Sequence, residues 1–235
     1  MRFYNIQPFL AEGFYLLKNR AVIFANGEIS DFTVIEELLK PDDDLIAVDG
    51  GLRHICKLEK NPQLLIGDFD SIESSDVERL ENQGVEIRRF PIEKDETDLE
   101  LALLAVARKG YREVLLVGAL GGRLDHTLAN LFLLLLPALS RMKVTIETGT
   151  EEIFLIRKTT VIRGDKGDVV SLIPLKGNIV GVQTKGLKYH LENETLYIEK
   201  SRGISNVMLE KQAEVTLISG CLLCIHSRKK VSEEK

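Results

Sequence analysis

The sequence has no tryptophan, only three cysteines, and no excess of basic residues. The missing tryptophan leaves no indole to stack on a flat ligand. Three cysteines cannot all pair with one another, which fits a reducing cytoplasm better than a disulfide framework. Cys221 and Cys224 of "CLLC" lie in a run that reads as a strand, where side chains three apart point to opposite faces. No second pair completes a zinc site, so both read as packing residues. Lys and Arg total 31 against 36 Asp and Glu, a net charge of -5, which argues against a nucleic-acid scaffold. The longest apolar run, "LANLFLLLLPAL", is interrupted by Asn130 and Pro137 and falls short of the ~20 residues of a membrane span. It reads as a buried core helix. Asn5, Gln7, Pro8 and Glu12 break the first twenty residues, so they do not form the apolar core of a secretory signal. Repeats and low-complexity linkers are missing too, as are the Walker G-x-x-x-x-G-K-[ST] and Rossmann G-x-G-x-x-G loops.

What is present is a regular alternation. "AVIFANG", "DLIAVDGG", "LLIGDFDS", "VEIRRFP", "EVLLVGAL" and "KVTIETG" read as strands, with amphipathic helices between them. Thr33 with Glu36, Ser75 with Glu78, and Thr97 with Glu100 have the spacing of capping boxes. Such βα units predict a mainly parallel sheet flanked by helices over residues 1–149, with an arm over 1–20 of no assigned role. From 150 to 235 the pattern changes to short β-rich runs: "EEIFLIRKTTVI", "DVVSLIPL", "NIVGVQTKG", "LKYHLE", "ETLYIEK" and "AEVTLISGCLLCIHS". These predict a smaller, all-β, sandwich- or barrel-like domain. The charged end "SRKKVSEEK" reads as frayed.

The loops after the strands carry the chemistry: "DGG" (Asp49, Gly50, Gly51), "GDFDS" (Gly67–Ser71), "KDETD" (Lys94–Asp98) and "GALGGRLDH" (Gly118–His126). In a parallel sheet they emerge at one edge, where ligands bind. Asp49, Asp68, Asp70, Asp95, Asp98 and Asp125 would crowd one crevice, and so much like charge calls for a cation. An extended backbone would put Asp68 and Asp70 on one side, with Phe69 pointing away. No histidine or cysteine is interleaved with them, so the set suits Mg²⁺, which takes a few carboxylates plus phosphate oxygens. Gly121 and Gly122 allow close backbone approach to a ligand, Arg123 offers a bidentate donor for phosphate, and His126 can hydrogen-bond phosphate or base.

These motifs, in this order, resemble the thiamine pyrophosphokinase family in its bacterial pattern. D-G-G, G-D-F-D-S, K-D-x-T-D and G-G-R-x-D-H all stand here, and "SRGISN" (Ser201–Asn206) matches a C-terminal S-x-G-x-S-N element. The resemblance runs from Ala21 to about Ile225. It implies a homodimer that moves the terminal diphosphate of ATP, the co-substrate, to the hydroxyl of thiamine, releasing AMP. It places thiamine between the α/β half of one subunit and the β half of the other. By the same resemblance Asp68, Asp70 and Asp98 are metal carboxylates. Gly121, Gly122, Arg123, Asp125 and His126 contact the nucleotide, with Asp49, Gly50 and Gly51 beside them. Asp95 and Thr97 join the substrate-binding set, and Ser205 and Asn206 contact thiamine. Family members from eukaryotes stack thiamine on a tryptophan, so the aromatic partner here is unassigned.

Asp70, Asp98 and Arg123 form the expected catalytic set: phosphoryl transfer needs charge neutralisation and alignment more than covalent help. Asp70 or Asp98 would accept the hydroxyl proton. The alternatives are a Mg²⁺-dependent pyrophosphokinase acting on another alcohol such as a pterin, an aspartate-nucleophile phosphatase, and a non-catalytic nucleotide or thiamine sensor. The phosphatase pattern D-x-D-x-[TV] is contradicted by Ser71 and Ile72 after Asp70. No nucleic acid or membrane partner is expected.

Overall fold

The computed structural model describes residues 20–70 and 72–229. The expected N-terminal arm, apart from Arg20, and the tail from residue 230 onward lie outside the described residues. All six expected strands form: β1 (Arg20–Phe24), β2 (Asp44–Val48), β3 (Leu64–Gly67), β4 (Glu86–Arg89), β5 (Glu113–Val117) and β6 (Lys143–Glu147). They are parallel, in the order β4-β3-β2-β1-β5-β6. The direction of winding reverses between β1 and β5, so the loops leaving these two strands diverge and open a crevice at the carboxyl edge.

Both faces of this sheet are covered, as the near-continuous apolar strands require. Val22, Phe24 and Leu65 pack on one face with Ile35 of α1 (Phe32–Leu38), Ile55 of α2 (Leu52–Lys57) and Leu80 of α3 (Ser74–Asn82). Ala21, Ile23 and Ile66, one residue out of phase, pack on the other face with Leu99, Leu103 and Val106 of α4 (Asp98–Arg108). Of the expected caps, Thr97 holds: its hydroxyl accepts from the Glu100 amide at 3.2 Å. Thr33 is displaced as a cap by Asp31, whose carboxylate accepts from the Thr33 amide at 3.0 Å. Helix α3 starts one residue before Ser75, at Ser74, and its cap position, Glu73, makes no side-chain capping bond.

The Leu-rich segment forms α5 (Leu124–Leu133), but it is not the buried helix that its composition suggested. None of its residues is fully buried, and Leu124, Leu128 and Phe132, four apart, form a stripe 71%, 47% and 57% exposed. The helix starts at the crevice, where its polar residues line open space, so only part of its circumference meets the core.

The remaining strands are antiparallel: β7 (Glu151–Ile156), β8 (Thr160–Arg163), β9 (Val169–Lys185), β10 (Glu194–Leu196), β11 (Asn206–Val207), β12 (Gln212–Thr216) and β13 (Ser219–Ser227). They continue the same hydrogen-bonded path as β6-β7-β13-β9-β12-β8. Three details differ from the sequence reading. "DVVSLIPL" and "NIVGVQTKG" are one strand, β9, bent where Lys176 and Gly177 take φ of 61° and 108°. "AEVTLISGCLLCIHS" is two strands, separated at Leu217–Ile218. "LKYHLE" is a loop with one isolated bridge, Leu187 to Met208. Alternate residues of β13 serve two cores: Leu223 packs into the core shared with α4, while Leu222 and Cys224 pack into the core of the antiparallel half. Cys221 is also buried, and neither cysteine is bonded. Buried Glu147 at the end of β6 takes a two-pronged ion pair from Arg228, just after β13, with both N–H···O distances 2.8 Å.

Candidate active site

The crevice at the β1/β5 switch is a cleft of about 740 Å³. One wall is acidic. The "DGG" loop follows β2 and forms a tight 3-10 turn, and Asp49 there takes φ of 45°. Its carboxylate Oδ1 receives the Asp68 amide at 3.2 Å and occupies the space where a side chain on Gly67 would start. Glycine at 67 is what lets the β2 and β3 loops close on each other. Strand β3 ends at Gly67, and Phe69 takes φ of 65°, so the Asp68–Asp70 segment is not extended as expected. The outcome is nevertheless the expected one: buried Phe69 packs among Val77, Leu80 and Leu52, and Asp68 and Asp70 both line the cleft. The Asp70 amide donates to Asp68 Oδ1 at 3.1 Å.

Asp98, at the first turn of α4, completes this wall. Lys94 Nζ lies 2.8 Å from Asp98 Oδ1, with both side chains largely buried. Asp49 carries the cost of the crowding. Burial, then the charges of Asp98 and Asp68, push its carboxyl up to about 7, against the lowering pull of the Phe69 amide. Lys94 does not balance Asp49, Asp68, Asp70 and Asp98, with Glu96 also in the lining, and the donors are hard oxygens throughout, a set that fits a hard divalent cation. Among the described residues no three Asp, Glu, His or Cys side chains converge into a ready-made cage. A cation here would therefore be completed by oxygens of a bound ligand, as is usual for Mg²⁺.

The opposite wall comes from the loops after β1 and β5 and the start of α5. Asn26, Gly27, Gly118, Leu120, Gly121, Arg123, Asp125 and His126 line it. Exposed Arg123 pairs with Asp125 (Nε to Oδ1 3.1 Å, Nη2 to Oδ2 2.6 Å), which raises the one and lowers the other from its ordinary pKa. The His126 amide donates to Asp125 Oδ1 at 3.0 Å. Asn130, one turn along, donates to the Ala119 carbonyl at 2.7 Å and ties α5 to the glycine loop.

Asp49, Asp68, Asp70, Thr97, Asp98, Gly121, Arg123, Asp125 and His126 are thus brought to one cleft. Asp95 is not: it is exposed and outside the lining. Gly50 lies against the Asn26 side chain, Gly51 is buried beneath the Phe24 carbonyl, and Gly122 sits next to the lining without joining it. Ser205 and Asn206 do not reach the cleft within one chain. Asn206 is buried, and its amide is committed: Oδ1 accepts from the Tyr189 and Val207 amides at 2.9 Å each, and Nδ2 donates to the Tyr189 carbonyl at 2.7 Å. Ser205 is exposed, with φ of 58°.

Sequence reasoning passed over Asn26, Gly27, Lys94 and Asn130. Lys94 was visible as the only cation in "KDETD", and Asn130 as the one amide among leucines; nothing in one dimension singled out Asn26–Gly27.

A profile for the catalytic domain of thiamin pyrophosphokinase matches residues 35–146, and one for the vitamin B1 binding domain of that enzyme matches residues 157–222. A thiamine pyrophosphokinase of Bacillus subtilis is 28% identical over 184 residues, 77% of this chain and 86% of the relative. Thiamine pyrophosphokinase 1 of Oryza sativa subsp. japonica is 28% identical over 183 residues, 73% and 69% of the two chains. The crystal structure of the Bacillus subtilis enzyme matches with a TM-score of 0.79 at 25% identity, covering 90% of this chain and all of that one (100%). Thiamin pyrophosphokinase from Candida albicans shares the fold, with a TM-score of 0.78 over 92% of this chain and 91% of its own, at 17% identity. With an acidic wall facing a glycine-rich one at the switch point, and both halves matched in order, the chain belongs to the thiamine pyrophosphokinase family.

Proposed function

We propose that this enzyme transfers the diphosphate of ATP to the hydroxyl of thiamine, giving thiamine diphosphate and AMP. The observation that carries the reading is the cleft itself, with carboxylates from β2, β3 and α4 on one wall and Arg123 with the glycine loop on the other. Residues 1–149 form the nucleotide half in this reading, and residues 150–235 the thiamine half. Asp68, Asp70 and Asp98 are the proposed ligands of Mg²⁺, which when bound neutralises and aligns phosphate oxygens. The Gly118–Gly121 backbone approaches the phosphates closely. Arg123 exchanges its internal partner Asp125 for phosphate, which costs little because both groups are already exposed. The proton acceptor for the hydroxyl is Asp70 or Asp98, of which Asp98 already pairs with Lys94 at 2.8 Å.

Within one chain the Ser205–Asn206 element does not reach the cleft, and α5 leaves an apolar stripe at its rim. Both support a homodimer in which the β half of one subunit closes the cleft of the other. Tyr189, 52% exposed and held through its backbone by Asn206, is the proposed ring that stacks on thiamine in place of tryptophan. Three unbonded thiols support a reducing, cytoplasmic setting.

The test is to incubate the protein with ATP, Mg²⁺ and thiamine and to separate the products. Thiamine diphosphate and AMP in equal amounts are expected. ADP with thiamine monophosphate would keep the site and overturn the chemistry, and ATP binding without a thiamine product would favour a pterin substrate or a sensor.

A further inference from the structure

The wall formed by the β1 loop is held from behind. Arg53 and His54 follow the "DGG" turn one residue on, after Leu52 in α2, and both reach back to the carbonyls of the loop after β1. Arg53 Nη2 donates to the Asn26 carbonyl at 2.8 Å and the Gly27 carbonyl at 3.3 Å. His54 Nε2 lies 3.1 Å from the same Gly27 carbonyl. A carbonyl can only accept, so Nε2 carries the hydrogen. His54 is 5% exposed, its Nδ1 has no hydrogen-bond partner among the described residues, and Phe32 lies beside the ring at 6.5 Å between centroids. Burial lowers the pKa of the imidazole from its ordinary value, with Arg53 and Lys57 acting in the same direction and the bond to the Gly27 carbonyl opposing them.

The loop they hold is interlocked with the second glycine loop. The Gly27 amide donates to the Gly118 carbonyl at 2.7 Å, and the Glu28 amide to the Leu120 carbonyl at 3.0 Å. A side chain at 27 would collide with those same two carbonyls, so only glycine allows the loops to lie this close. A continuous path therefore runs from α2 through Asn26–Gly27 to Gly118–Gly121, the stretch with which the proposed nucleotide makes backbone contact. The Asn26 side chain also rests against Gly50, whose ideal Cβ position is 2.6 Å from it, so the path begins and ends on the two sides of the cleft.

The geometry points to Arg53 and His54 as positioning residues for nucleotide binding: they fix the Asn26–Gly27 loop and, through it, the glycine loop after β5. Neither lines the cleft. The inference rests on the proposed function, since it assigns the cleft to a nucleotide. It distinguishes "DGG-x-R-H" from a bare "DGG" turn: the turn places Asp49 on the acidic wall, and the two residues that follow set the wall across from it.

Binding of a non-hydrolysable ATP analogue, with Mg²⁺, measured by calorimetry on the full chain tests this together with steady-state kinetics. Arg53→Gln, at an exposed position, and His54→Leu, which keeps the volume, are each expected to weaken analogue binding and raise the KM for ATP about fivefold, the worth of one hydrogen bond. The kcat should stay within about twofold, because the loss falls on binding shared by ground and transition states. His54→Gln, which restores an N–H donor, should recover most of the affinity. Variants that bind the analogue like the wild type while melting earlier would reduce both residues to a stability role and sink the inference. So would a fall in kcat at unchanged KM. A wild-type protein that fails to bind the analogue would remove the proposed function as well, whereas equal binding by wild type and variants removes the positioning role alone.

Discussion

The two halves use polar residues differently. In the parallel half, the loops after β2 and β3 and the start of α4 leave carboxylates near one another with Lys94 among them, and burial, then the charges of Asp98 and Asp68, push Asp49 up to about 7. In the antiparallel half two buried polar residues, Asn206 and His226, sit against partners. Asn206 is committed to the Tyr189 backbone, and His226 sits between Asp168, with Nε2 to Oδ2 at 2.9 Å, and Glu152, with Nδ1 to Oε2 at 3.6 Å. Unrelieved charge marks a place waiting for a ligand, and satisfied charge marks a strut. Topology underlies the contrast. Parallel strands send successive loops to one edge, whereas an antiparallel meander sends them to alternate ends.

The sharpest way to break the comparison is to neutralise the acidic wall. Asp68→Asn or Asp70→Asn should lower turnover by roughly 100-fold or more at saturating Mg²⁺, while the melting temperature holds or rises because like-charge repulsion is relieved. Wild-type turnover in either variant would remove that residue from the metal set.

A smaller effect separates neighbours in the other half. Asn206→Ala strands the part-buried Tyr189 and Val207 backbone groups and should cost about 2 kcal/mol in denaturant unfolding. Ser205→Ala should stay within about 0.5 kcal/mol and appear instead in the KM for thiamine. If the stability costs came out equal, Asn206 would not be the strut described here.

The smallest effect is a pH profile. Burial opposes the charged ring of His226, but hydrogen bonds and charge from Glu152 and Asp168 outweigh it and raise its pKa from 6.5. That contribution is complete below 6.5 and is lost as pH rises through the raised value. Burial likewise opposes ionisation of Asp168 and Glu152. The Asp165 and Lys229 amides with His226 for the first, and His226 for the second, still bring them below 3.8 and 4.5. Their contribution is present above those values and fades as pH falls through the lowered ones. The excess stability of wild type over Asp168→Asn should therefore peak between about pH 4.5 and 6.5, on the order of 1 kcal/mol higher than at the extremes. Parallel profiles for the two proteins would mean that the triad does not titrate as a unit.

Strands β1 to β6 were legible because each is a short apolar run between turn residues, a pattern that survives without tertiary knowledge. The bend in β9 was not, since "LKGN" looks the same whether the chain reverses or merely kinks at Lys176–Gly177. The exposure of α5 was hidden for a similar reason: composition reports how apolar a helix is but not whether a neighbour covers it. At the site, Asp49, Asp68, Asp70 and Asp98 could be read from local motifs. The support by Arg53 and His54 arises only when the loop after β1 folds against α2, 26 and 27 positions away in sequence. Asp95 shows the converse, a motif residue that lies exposed outside the cleft lining.

Strand β13 is the last strand of the described chain, yet it lies inside the sheet, hydrogen-bonded to β7 on one side and β9 on the other. A ribosome delivers those neighbours long before it delivers β13. Until residues 219–227 emerge, β7 and β9 each have an open edge able to pair with any other extended segment. Birth of this protein thus includes an interval in which β7 and β9 are made but still adhesive, and the insertion of β13 ends it.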